Sequence, residues 1–109
     1  MAKILVKFDE PITAPSGKIY FAQAVGRETA TGLWEGWLEF LGVKDASDAF
    51  ASDRETTQPN RRDTEYWAQG LTKVYLQGAL DRAISLGDPH RQRAPRDLEP
   101  PPLSERSIW

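Results

Sequence analysis

The chain has 109 residues, 39% apolar and 28% charged, with 8 Gly, 8 Pro, 4 Trp and no Cys, a length that holds one domain. A formal charge of −2 supplies no broad positive field for nucleic acid or anionic lipid. The missing cysteines exclude a disulfide framework, a zinc-thiolate site and a thiol nucleophile.

From Ala2 to Phe8 the side chains alternate, with Ile4, Val6 and Phe8 on one face and Leu5 and Lys7 on the other, the period-two pattern of a strand. Charge returns after three apolar residues, too soon for a signal peptide or a membrane span, so the expectation is a cytoplasmic protein without a membrane partner. Asp9-Glu10-Pro11 stops the strand, and Ala14-Pro15-Ser16-Gly17 predicts a type I or II turn. A second strand runs from Lys18 to about Arg27. It carries Ile19, Phe21 and Val25 on one side and Tyr20, Ala22 and Ala24 on the other, which suits the middle of a sheet. After a polar loop bracketed by Gly26 and Gly32, Leu33 to Leu41 sends Trp34, Leu38 and Phe40 one way and Glu35, Trp37 and Glu39 the other. The glycines at 26, 32, 36 and 42 match turns and strand bends and make no phosphate-cradling loop.

Residues 42 to 58 give mixed signals, read as a loop followed by an edge strand from about Phe50 to Thr57. Gln58-Pro59-Asn60 ends the sheet and offers Asn60 as a helix cap, with Asp63 three residues on. At about 100° per residue Trp67, Leu71 and Val74 fall on one side and Leu76, Leu80 and Ala83 on another, which predicts two helices rather than one. The first is expected from Arg61 to Gln69, ended by Gly70 in a left-handed conformation. The second starts from Thr72 as cap and runs to Leu86, with Tyr75, Leu76, Ala79, Leu80, Ala83 and Leu86 in one stripe. The fold class is therefore α+β: an antiparallel meander of three to four strands followed by a helical hairpin or kinked helix, in one domain over 1–87. Residues 88–109 hold five of the eight prolines and read as an extended Pro/Arg-rich tail.

Catalytic chemistry finds little to work with. The single histidine, His90, lies in the tail, where nothing would position it as a base, and no serine has a nucleophile-elbow context. Asp45, Asp48 and Asp53 lack the glycine and terminal glutamate of a calcium loop. Glu35 and Glu39 share a strand face, but their backbones stand about 13 Å apart, beyond the roughly 5–9.5 Å of paired-carboxylate glycosidases. No metal or cofactor is expected.

What remains points to binding. Trp109 and Ile108, with Leu103 and Arg96, would anchor a stiff tail in a partner's groove, and Trp37 would add a contact on the sheet. Trp37 is expected to be covered by a helix or by the tail; left open, its ring would stack on a sugar or on a partner's cation. Arg54, Arg61 and Arg62 cluster around the first helix start, where guanidinium forks and the helix amino end both suit an anion. The expected function is a non-catalytic interaction module or accessory subunit that engages a larger protein or a second copy of itself. A small-molecule or carbohydrate-binding module using the Trp37 face is the alternative.

Overall fold

The computed structural model describes residues 2–87. The predicted tail, with Arg96, Leu103, Ile108 and Trp109, lies outside the described residues. The described chain is α+β: a six-stranded antiparallel sheet carries two helices on one face. The strands are β1 (Lys3–Lys7), β2 (Ile12–Thr13), β3 (Ile19–Glu28), β4 (Trp34–Gly42), β5 (Ala49–Ala51) and β6 (Thr56–Gln58). They are followed by α1 (Arg61–Gln69) and α2 (Lys73–Gly87).

β3 is central, with β1 and β2 on one flank and β4 on the other; β5 and β6 both pair with β4. The β3–β4 hairpin sets the register. Gly32, at φ +89°, and a Thr29 N–H to Leu33 carbonyl bond of 2.7 Å close its loop, and every pair from Glu28–Trp34 to Tyr20–Gly42 follows. Even-numbered residues of both strands thus share one face. Tyr20, Ala22 and Ala24 of β3 and Leu38 and Phe40 of β4 are buried there with Ile12 of β2, under Ala68 of α1 and Leu76, Ala79, Leu80 and Ala83 of α2. Phe50 of β5 joins them, its ring edge-on to Tyr20 at 5.8 Å.

Two sequence expectations are corrected by local geometry. In β1 the register against β3 slips between Ile4 and Val6, a β-bulge. The bulge turns Leu5 inward beside Val6 and Phe8 against the core and leaves Ile4 51% exposed, so the simple alternation fails after one pair. The expected single edge strand is two. From Glu39–Ala51 to Gly36–Thr56, β4 moves three residues while its neighbour moves five. Ser52 absorbs the surplus: its N–H bonds the Leu38 carbonyl, and its hydroxyl accepts from the Leu38 N–H and donates to the Asp53 carbonyl. β2 is a short strand that alternation cannot reveal.

The break between the helices stands where predicted, by a different device. Asn60 caps α1, its side-chain oxygen accepting from the Asp63 N–H at 2.8 Å. Gly70, however, is right-handed at φ −89°, and a Cβ there would meet only ordinary contacts at 3.7 Å. α2 starts on Thr72 as expected, its hydroxyl accepting from the Tyr75 N–H. Gly70→Ala is therefore expected to leave the fold intact and to raise stability by about 0.4–1 kcal/mol through the unfolded chain, read by chemical denaturation. A loss of more than that would show that the break needs a glycine.

Gly26 and Gly36 are not turn residues. They pair across β3 and β4 and make a shallow notch on the covered face. A Cβ on Gly36 would lie 2.8 Å from the Trp67 ring, 3.0 Å from the Thr56 methyl and 3.3 Å from the Thr64 methyl. One on Gly26 would lie 2.9 Å from Leu5 and 3.3 Å from Thr64. Thr64 is fully buried in that notch, its hydroxyl donating to the Asn60 carbonyl. No helix of the described residues is long and apolar enough to cross a membrane.

Candidate functional site

Because α1 and α2 both pack on the even face, the odd residues of β3 and β4 form a second face that neither helix covers. The register lays it out in rows across the strands. Ile19 reaches toward Val43, whose N–H bonds the Ile19 carbonyl. Next come Phe21 and Leu41; then Lys7, Gln23 and Glu39; then Ile4, Val25 and Trp37; and last Arg27 and Glu35. Phe21 is 42% exposed and Ile19 46%, beside Ile4 and Val43, each about half exposed. Large side chains left in water side by side on one face are less ordinary than the same residues scattered singly.

Trp37 is half-buried on this face and neither helix covers it; the tail, the other expected cover, lies outside the described residues. A guanidinium covers it instead: Arg27 stands over the ring at 5.3 Å. Arg27 is held in turn by Glu35 at 3.3 Å, and Glu35 also pairs with Arg54 at 3.6 Å. The indole N–H donates to Glu39 Oε2 at 3.3 Å, and Gln23 donates to Glu39 Oε1 at 3.0 Å. Arg54, Glu35, Arg27, Trp37, Glu39 and Gln23 thus form one connected network. Its polar groups already bond each other, so a partner can lie on the face without stranding them. The alternation around Trp37 pointed to this face. The network itself needs the hairpin register, which becomes legible only when Gly32 is recognised as the left-handed turn residue.

Of the three arginines proposed for an anion, two are engaged elsewhere. Arg54 meets Glu35; Arg61 pairs with Glu65 at 2.9 Å, one helical turn on, and stands over the Trp34 ring at 5.8 Å. Arg62 is exposed in the first turn of α1 and makes no ion pair with another described residue. Two of the three loop carboxylates are likewise occupied. Asp48 accepts from the Tyr20 hydroxyl and meets Lys18 at 3.4 Å, while Asp45 accepts from the hydroxyl and N–H of Ser47, which hold its carboxyl below the usual range. No group of three His, Cys, Asp or Glu that could hold a metal ion gathers among the described residues.

A second polar cluster lies in a groove of about 740 Å³ between α2 and the β5–β6 connection. Glu55, whose side chain is 9% exposed, meets Arg82 at 2.9 Å and accepts from the Tyr75 hydroxyl; Arg82 also stands over the Tyr75 ring. Burial and the bond to Glu55 push the Tyr75 phenol up to about 12. The phenol is protonated at neutral pH and clamps Glu55 as a hydrogen-bond donor. Burial and Asp48 raise Tyr20 as well. A phenol harder to ionise folded than unfolded contributes stability below its unfolded pKa and loses it as pH rises through the folded one. Stability is accordingly expected to hold through neutral pH and to fall between about 10 and 12, with Tyr75→Phe flattening part of that fall in alkaline melts. An unchanged alkaline slope in that variant would contradict the clamp.

Comparisons of the chain with protein-family models, with curated proteins and with solved structures find no match.

Proposed function

We propose that this protein is a non-catalytic interaction module whose working surface is the open face of the sheet around Trp37 and Phe21. The observation that supports this reading most directly is the arrangement of that face. It carries exposed apolar side chains in adjoining rows on rigid strands, interrupted by a polar network that bonds itself. Aromatic anchors with satisfied polar neighbours are the composition of a protein contact. The carbohydrate reading is less well supported, because Arg27 occupies the ring face of Trp37 on which a sugar would stack.

A photo-crosslinking side chain placed at position 21 tests the proposal in living cells, with position 66, an exposed site on α1, as control. The expected result is a discrete polypeptide adduct at 21, identified by mass spectrometry and absent at 66. Equal labelling at both positions, or saturable oligosaccharide heat with quenching of Trp37 in the purified protein, would overturn it.

A further inference from the structure

The open face is built in rows, and one row carries opposite charges at its two ends. Lys7 on β1 and Glu39 on β4 flank Gln23 of β3, so their backbones stand about 10 Å apart across two strand spacings. Glu39 is bonded by two neutral donors, the Trp37 and Gln23 N–H groups, and neither it nor Lys7 makes an ion pair with another described residue. In the next row Ile4 is half exposed, Val25 is buried and Trp37 lies under Arg27, while Phe21 and Ile19 present open apolar surface along the strand axis.

We infer that the occupant of this face is a second copy of the same chain, packed sheet to sheet about a two-fold axis that runs along β3 over Gln23. This deepens the interaction-module reading and rests on it. Such an axis exchanges the β1 side with the β4 side. Each Lys7 then stands over the partner's Glu39, each Ile4 faces the partner's stacked Trp37 and Arg27, and Phe21, two residues from the axis point at Gln23, meets its own counterpart. A positive–neutral–negative row is self-complementary under that rotation, as an isologous interface requires. Arg27 also falls near the axis, but at the far end of the strand. There the roughly −30° angle between aligned, packed sheets carries the two guanidiniums apart, each with its own Glu35.

The dimensions suit the contact. About nine residues of β3 and β4 at roughly 3.3 Å each, over four strands about 4.8 Å apart, give a flat area near 600 Å² per copy before side-chain relief is counted. That approaches the roughly 800 Å² per partner of an ordinary specific interface.

Sedimentation equilibrium of the full chain, with charge-reversed variants, tests this. The parent chain is expected to dimerise. Lys7→Glu and Glu39→Lys, each placing like charges together twice in the dimer, are expected to raise its dissociation constant at least about tenfold. Mixing the two variants restores both opposite-charge contacts, so the mixture is expected to dimerise like the parent. Because each variant's folding is reported by its recovery in the mixture, loss of association alone cannot mimic the result. A monomeric parent chain, or a mixture that stays as weak as its components, overturns the inference. If the position-21 probe then captures a different polypeptide, the module reading stands without the second copy; if it captures none, both fall.

Discussion

Phe40→Ala is expected to cost about 3–5 kcal/mol of stability, the range for truncating a buried aromatic. Phe40 is fully buried, lies opposite Phe50 across β4 and β5, and belongs to the cluster into which α2 presses Leu76, Ala79, Leu80 and Ala83. Its removal leaves a cavity between a rigid sheet and two helices, neither of which can settle into it without losing other contacts. Set against the roughly 5–15 kcal/mol that holds a domain of this size, the loss brings the chain near the edge of folding. The melting temperature should drop by roughly 15 °C or more at fixed protein concentration, and the denaturant midpoint should fall with its slope unchanged. A loss below about 1 kcal/mol would mean that the helical layer is not seated on this face.

Gly36→Ala should be nearly as damaging, although it adds a single methyl group. The added carbon would stand 2.8 Å from the Trp67 ring and 3.0 Å from the Thr56 methyl, and Thr64 closes the notch from α1. The Trp67 ring packs against the core from α1, so the added methyl must displace the ring, α1 or β6. Overpacking of this kind costs about 1–3 kcal/mol, which corresponds to a fall of roughly 5–20 °C in a domain of this length. Gly26→Ala meets Leu5 at 2.9 Å and shares Thr64 with Gly36, so the two substitutions are expected to be non-additive. Thermal melts of both singles and the double measure this. Additive, small effects would place α1 farther from the sheet than the structure has it.

These glycines show where sequence reasoning stopped. Spacing alone makes Gly26, Gly32 and Gly36 look alike, yet only Gly32 has the positive φ of a turn, while the other two are flat strand positions that admit a helix. The α+β class, the central place of β3 and the division of the helices were all legible. Alternation, apolarity on both sides of a strand and a shift in helical phase are local signals. The bulge at Leu5 and the double edge of β5 and β6 were not legible, because each answers to a partner strand: Leu5 to the register of β3, Ser52 to the Leu38 N–H. Trp37 could be assigned to the wetter side of its strand. That its covering group is Arg27 follows from a cross-strand register and from no property of either residue alone.

Hydroxyl-radical footprinting of the full chain over a dilution series reads the open face most directly. The account predicts that labelling of Ile19, Phe21 and Trp37 falls as concentration rises, in step with the measured mass, while Tyr66 and Val74 on the helices label equally throughout. Open-face labelling that stays constant while the mass doubles, or protection that appears on Tyr66 and Val74 instead, would contradict it.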